Sequence, residues 1–266
     1  MPCIKIQRFN HVQKPFSHEN NPLCSPTSYI EFDTKDSFYA EDLVKCAAKQ
    51  CHISPLSQYL LGLWDRTEER FLAPSEIVTG QTSNNDASYE LRMRFIVSPC
   101  EGKKPLVFKW DQLDIYALTY IHDQVKYDFL NEQIKELYNE KGVAEGCGVI
   151  NMVHDAIEHK MNTDDVAKYY KKYIPKSVFM KFGLDVKFGM EKEIKKEMKE
   201  VKLESIHELK EAFLNRVLDR TKWYGTEIYE AEIQDTGKSS VLVQVDPWNE
   251  ENPGIILYRR KEVNFF

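Results

Sequence analysis

Cys46, Cys51 and His52, in the stretch CAAKQCH, have the side chains of a soft metal site or an activated thiolate. A structural zinc site needs four clustered ligands, usually as two closely spaced pairs. No second pair follows, so the spacing argues against a metal. Leu43, Cys46, Ala47 and Gln50 fall at i, i+3, i+4 and i+7, which predicts a helix with Cys46 on its buried stripe. On that reading Cys46 is a packing thiol. His154 and His159 stand five apart, about 140° around a helix. They diverge, unlike the i, i+4 pair of a zinc protease, and are expected on the surface. Gly142, Gly146 and Gly148 precede a helical pattern, but no strand leads into them and their spacing fits neither nucleotide fingerprint. A helix-entry turn is expected there. No nucleophile elbow, kinase catalytic loop or Asp-Phe-Gly triplet occurs. The expectation is a chain with no catalytic residue, no metal ligand and no cofactor.

One candidate binding surface remains. KFGLDVKFGMEKEIKKEMKEVK, residues 181 to 202, holds seven lysines and five acidic groups. Lysines in such a run suit an acidic partner. Glu and Lys at spacings of three and four predict instead ion pairs along a solvated helix face.

The elements that would position these residues change along the chain. SYIEF (28 to 32) reads as a strand, and AEDLVKCAAKQ as a short helix with Glu41 and Asp42 in its first turn, where the dipole favours acids. At its exit, Cys51 and His52 are expected to form a cap with His52 left-handed, Ile53 folded back on the last turn, and Pro55 preventing resumption. YLLGLW and RFLAP flank the polar stretch DRTEE as a hairpin. In YELRMRFIV, Tyr89, Leu91, Met93, Phe95 and Val97 alternate with Glu90, Arg92 and Arg94, which predicts a strand with one buried face. After the turn-rich SPCEGKKP the period becomes helical. Ile115, Leu118, Ile121, Val125 and Phe129 form one stripe; GVINMVHDAIEHKM and DDVAKYYKKYIP follow, the latter stopped by Pro175. Val186, Met190, Ile194, Met198 and Val201 form another stripe, and Ile206, Leu209, Phe213 and Val217 a last one. Four or five helices are expected. From Trp223 strands return as TEIYEAEI, SVLVQVD and GIILYRR. Three strands cannot close a barrel, and KEVNFF ends the sequence on Phe265 and Phe266, so the natural protein is expected to continue. The expected lobes are 1–98, 99–222 and 223–266, an α+β arrangement.

The 266 residues, 42% hydrophobic and 29% charged, suffice for several lobes with their own cores. No apolar run reaches the ~20 residues of a membrane span. Net charge is −6, which gives nucleic acid little electrostatic attraction. Six cysteines without paired spacing fit a reducing, cytoplasmic setting.

Strand, helix, hairpin, strand, then helices, then strands, is the order of a FERM domain, with its ubiquitin-like, acyl-CoA-binding-protein-like and pleckstrin-homology-like lobes. The local wording resembles the Janus kinase family of non-receptor tyrosine kinases. AEDLVKCAAKQCHISP, LLGLWD, FLAPSEI and YELRMRF are similar to that family's first lobe. LTYIHDQVKYDFL, AEGCGVINMVHD and YKKYIPKSV are similar to its second, and WYGTEIYEAEI and NPGIILY to the opening of its third. The resemblance implies a non-catalytic docking module for a tyrosine kinase in JAK-STAT-type signalling. Its partner would be the cytoplasmic tail of a cytokine receptor, met at the inner face of the plasma membrane or an endomembrane. Intramolecular contacts would run to C-terminal domains absent from this chain. The helical lobe would grip an extended, proline-bearing tail segment through apolar pockets and lysines; Phe182, Lys187, Phe188, Lys195 and Lys199 are the residues this assigns. The family's second-lobe helix is arginine-rich, whereas GMEKEIKKEMKE here balances Lys with Glu. Two other readings of the same fold are a cytoskeletal FERM adaptor linking membrane proteins or phosphoinositides to the cortex, and an acyl-CoA-binding enzyme or carrier.

Overall fold

The computed structural model describes residues 3–9, 28–33, 37–79, 88–94, 110–138, 142–182, 190–203, 205–221, 224, 227–233, 237–246 and 254–259. Phe95, Val97, Val186 and the SPCEGKKP turn lie outside these, as do Phe265 and Phe266. The chain divides into two compact units. One holds the strands and the first helix; the other holds Phe9 and the helices that follow Leu118.

In the first unit, β1 (Cys3–Arg8), β2 (Ser28–Asp33), β4 (Leu61–Asp65), β5 (Arg70–Phe71) and β7 (Tyr89–Met93) form a five-stranded sheet of order β2-β1-β7-β4-β5. β3 (Phe38–Tyr39) and β6 (Ile77–Val78) form a separate two-stranded ribbon. β1 pairs antiparallel with β2 and parallel with β7. Strand β1 was not anticipated, although Ile4 and Ile6 alternate with Lys5 and Gln7; both isoleucines are at most 1% exposed. With Ile30, Leu63 and Leu91 they make the apolar face of the sheet. The other face is polar, exposed at Tyr29 and Glu31 and buried at Gln7 and Glu90. Glu90 is buried, with Arg92 2.8 Å and Arg66 3.3 Å away. The DRTEE turn forms as expected: the Asp65 carboxylate accepts from Thr67 N at 2.7 Å and Glu68 N at 3.1 Å.

Helix α1 (Ala40–Gln50) packs its Ala40, Leu43, Val44, Ala47 and Ala48 inward. Its first-turn amides are satisfied by the chain that follows the hairpin: Ala40 N donates to Glu76 O and Glu41 N to Pro74 O. Cys46 is exposed, which corrects the expectation that it packs in the core. The stripe is centred between Leu43 and Val44, and at about 100° per residue Cys46 falls on the far side. The helix exit is as read. His52 has φ of +61°, His52 N donates to Lys49 O, and Ile53 N to Ala48 O, the two bonds of a Schellman cap. Ile53 is 5% exposed.

The second unit is helical. Its elements are α2 (Ile115–Leu130), α3 (Val143–Glu158), α4 (Thr163–Ala167), α5 (Lys176–Phe182), α6 (Met190–Glu200) and α7 (Ile206–Leu218). Helix α3 packs against α4, α6 and α7. Leu118, Ile121, Val125 and Phe129 are buried as the stripe predicts, but Ile115 is exposed. DDVAKYYKKYIP is not one helix: α4 stops at Ala167, a 3-10 turn spans Tyr170–Lys172, and α5 begins just after Pro175. Proline is as suited to opening a helix as to ending one, because the first amides have no intrahelical acceptor. Gly142, with φ of +89°, is the N-cap of α3. Gly146 and Gly148 lie inside the helix. A Cβ at Gly148 would stand 2.8 Å from Tyr173 O, so this glycine allows the 173–174 backbone to approach.

Strands β8 (Glu227–Ile233), β9 (Gly237–Asp246) and β10 (Gly254–Arg259) make an antiparallel meander of order β10-β9-β8; β8 and β10 lie where they were expected, and β9 begins at Gly237, three residues before the expected SVLVQVD.

Replacing His52 by Gly removes a left-handed β-carbon, which costs about 1 kcal/mol, and forfeits the His52–Tyr116 ring contact at 5.5 Å. His52→Gly is expected to leave stability unchanged or up to ~1 kcal/mol higher in urea denaturation.

Candidate functional site

The helical unit has an unusual interior. Helix α2 is buried on every side from Tyr120 to Lys126, and α3 from Cys147 to Ala156. Neither has a solvent face in these stretches, so their polar residues meet each other. His122, Lys126, Asp128, Asn151 and Asp155 are all at 0% exposure, and His154 at 2%.

The contacts run in step along the two helices. His122 Nε2 lies 3.3 Å from the side-chain oxygen of Asn151. One turn on, Lys126 Nζ donates to Asp155 at 3.2 and 3.4 Å. Each pair is 29 residues apart, so α2 and α3 lie side by side in the same sense. Lys126 Nζ also stands 5.8 Å from the centroid of the Tyr173 ring. His154 Nδ1 shares Asp155 at 2.9 Å. The His122 ring lies 5.0 Å from that of His154 and 5.3 Å from Phe213 of α7. Lys210, also on α7, donates to Thr119 Oγ1 at 2.8 Å.

Burial, then the neighbouring His154, Lys126 and Lys210, hold the His122 pKa well below its ordinary 6.5. The ring is therefore neutral and donates through one nitrogen only. Nδ1–H donates to Asp123 at 3.2 Å, leaving Nε2 to accept. A half-turn of the Asn151 amide brings its NH2, which has no partner among the described residues, against that nitrogen. Burial likewise pushes Lys210 below its ordinary value, opposed by Asp123 and Glu158.

His154 is thus a core residue, which corrects its expected surface position; His159 is exposed as expected. A helix without a polar face offers no stripe from which to read burial. One signal was present: His122 and Lys126, like Asn151 and Asp155, stand four apart, the spacing of two facing helix rows.

His154, Asp155 and Glu158 bring ligand atoms within 4.8 Å of one another. Asp155 already faces the Lys126 ammonium, the cation of this site, and a metal there would meet that charge. The arrangement is an ion-pair and imidazole network suited to fixing two helices.

The predicted binding surface is only partly in view. Phe182 is the last residue of α5, and its side chain lies outside the described residues together with Lys187 and Phe188. Lys195 and Lys199 share α6, whose Met190, Ile194 and Met198 are buried. Lys195 Nζ is 2.9 Å from Glu191, Lys196 3.7 Å from Glu200, and Lys199 3.8 Å from Asp164 of α4. The Lys and Glu spacing does produce a paired, solvated face. Such exposed pairs stabilise little, ~0–1 kcal/mol.

The chain matches the profile of the FERM F1 ubiquitin-like domain over residues 19–104 and that of the FERM F2 acyl-CoA binding protein-like domain over residues 111–211. Together these cover more than half its length. It is 26% identical over 217 residues to Tyrosine-protein kinase JAK1 of Danio rerio, a match spanning 66% of this chain and 18% of that protein. Among solved structures it is similar to the myosin VII MyTH4-FERM MF2 domain of Dictyostelium discoideum, with TM-score 0.61, 10% identity, and 99% of this chain against 50% of that one. It is also similar to the FERM and C-terminal domain complex of Drosophila Merlin, with TM-score 0.57, 13% identity, and 99% against 82%. At those identities the structures share the fold alone. No helix among the described residues is long and apolar enough to cross a membrane.

Two outcomes follow from the buried network. His122 takes up a proton near 6.5 when unfolded but not when folded, so stability holds above that pH and falls as pH drops through it. The expected slope in urea titrations is up to ~1.4 kcal/mol per pH unit, and it should flatten in His122→Asn. Asp155→Asn removes the charge facing buried Lys126 and is expected to cost ~3–5 kcal/mol, most of it recovered when Lys126→Met is added.

Proposed function

The chain belongs to the FERM family, and from that premise we propose that it is the receptor-docking module of a Janus-kinase-type tyrosine kinase. The observation that carries the reading is the 26% identity over 217 residues to a tyrosine-protein kinase of that type, a match spanning 66% of this chain. The chain spans less than a fifth of that relative's length. Any kinase activity would therefore belong to other parts of a longer protein. Among the described residues the buried polar groups His122, Lys126, Asn151 and Asp155 pair with one another inside the helical lobe.

In this role the module is cytoplasmic and peripheral, binding the membrane-proximal tail of a cytokine receptor for JAK-STAT-type signalling. An extended, proline-bearing tail segment would lie across the α5–α6 region. Phe182 and Phe188 would supply apolar contact, and Lys187, Lys195 and Lys199 would meet its acidic flanks. Because Lys195 and Lys199 stand near Glu191 and Asp164, an acidic tail has to compete with carboxylates already present. Their contribution is then selectivity and association rate more than affinity.

The test is retention of immobilised cytokine-receptor tail peptides by the whole chain. Binding of proline-bearing membrane-proximal peptides is expected, with the association rate of Lys195→Glu/Lys199→Glu reduced about tenfold at low salt. Failure to bind any such tail, with saturable binding to phosphoinositide vesicles in its place, would turn the reading to a cytoskeletal FERM adaptor.

A further inference from the structure

Asp114 is the residue before α2, and its carboxylate serves two elements at once. Oδ1 accepts from Ala117 N at 2.9 Å, the bond by which an N-cap satisfies the third residue of its helix. Oδ2 accepts from Ser54 N at 3.1 Å, 60 residues earlier in the sequence. Ser54 lies just past the His52 cap that ends α1, so one side chain opens the second helix and fastens the exit of the first. All of these residues belong to the same compact unit. The rings of His52 and Tyr116, 5.5 Å apart, add a second tie between the same two segments.

Ser54 is itself a cap. Its Oγ accepts from Ser57 N at 3.3 Å and its carbonyl from Gln58 N at 3.0 Å. Pro55 takes the first position of that turn, where no N–H is needed. The Ser54 and Ser57 hydroxyl oxygens lie 3.0 Å apart. Burial acts to raise the Asp114 pKa, but the Ser54 hydroxyl, the Ala117 amide, the Ser57 hydroxyl and the Ser54 amide outweigh it and hold the carboxyl below its ordinary 3.8. Asp114 is therefore an anion at neutral pH, and the bonds it accepts are charge-assisted.

Both oxygens belong to one rigid group. A bond at Oδ2 fixes the orientation in which Oδ1 meets Ala117 N, so the turn and the helix start strengthen each other. The donors that meet the carboxylate at this turn are amides and hydroxyls. They suit one anion; a second negative charge beside it would be repelled.

We propose that the 54–57 turn and the first turn of α2 open and close together, as a latch held by the Asp114 carboxylate and released by negative charge at Ser54. In the closed state the amides of Ser54 and Ala117 are both on the carboxylate. In the open state both face water, while the later turns of α2 keep their own intrahelical bonds. The latch does not rest on the α5–α6 docking reading, since none of its residues lies there.

The experiment is amide hydrogen exchange of the whole chain, followed by NMR, in Ser54→Asp and Ser54→Asn. Both side chains keep an oxygen for Ser57 N as N-caps of similar strength, and only aspartate adds charge. In Ser54→Asp the Ala117 amide is expected to exchange about tenfold faster than in the unaltered chain, with Ser57 and the amides of β4 and β7 unchanged. In Ser54→Asn the Ala117 rate should stay within about threefold. Asp114→Ala, which removes the latch, should raise the Ser54 and Ala117 rates together. An unchanged Ala117 rate in folded Ser54→Asp would overturn the proposal, as would equal acceleration in Ser54→Asn, which would make the effect one of packing. So would parallel acceleration in β4, β7 and Ala117, the mark of a loss of global stability, or a response of Ser54 without Ala117 in Asp114→Ala.

Discussion

The helical lobe depends on one contact: Lys126 of α2 against Asp155 of α3, both at 0% exposure. Removing two charges from water costs several kcal/mol per ion unless they meet each other with good geometry. Every other helix arrangement open to this sequence has to meet that cost. Sliding α2 by one residue along α3 rotates its side chains by about 100° and turns Lys126 away from the carboxylate. The His122–Asn151 contact one turn earlier repeats the constraint. Apolar packing alone would not fix it, because helices buried on all sides have many near-equivalent faces. Here the polar pairs select one register, and α7 then closes over it with Phe213 against His122.

That same burial explains what could be read from the sequence and what could not. Strand β7 was legible because Leu91 and Met93 alternate with arginines and glutamate. Helices α6 and α7 were legible because Met190, Ile194 and Met198, or Leu209, Phe213 and Val217, form single stripes. Each is an element with one apolar and one polar face. The reading failed where that asymmetry was missing or too brief. His154 sits on a helix with no wet face. Ile115 begins α2 at its exposed end, where the stripe has not yet met its partner. Cys46 went wrong by phase: in eleven residues a stripe beginning at Leu43 is fitted almost as well with its centre displaced toward Cys46. Strand β1 has only two isoleucines to alternate, too short a run to separate from an irregular terminus by pattern alone.

The helix exit at His52 is the opposite case. There the local chemistry was decisive, because the cap geometry is set by a few backbone bonds and needs no knowledge of the rest of the fold. His52 in the left-handed region, Ile53 returning to Ala48 and Pro55 ending the helical path are all determined within one turn. Capping is local, whereas burial is a property of the whole lobe. A sequence therefore reveals its turns more faithfully than its interiors.

The candidate docking face combines both kinds of information. That α6 would be a helix with lysines outward followed from its period. That those lysines would be held by carboxylates followed only partly: Glu191 is on the same helix, four residues from Lys195, while Asp164 comes from α4. A lysine beside an acid on its own chain presents less net field than its count suggests. Seven lysines between residues 181 and 202 consequently do not make a strongly basic surface. A partner recognised there has to offer shape and apolar contact as well as charge, which suits a proline-bearing segment, already extended and poor in conformational entropy, better than a run of acids.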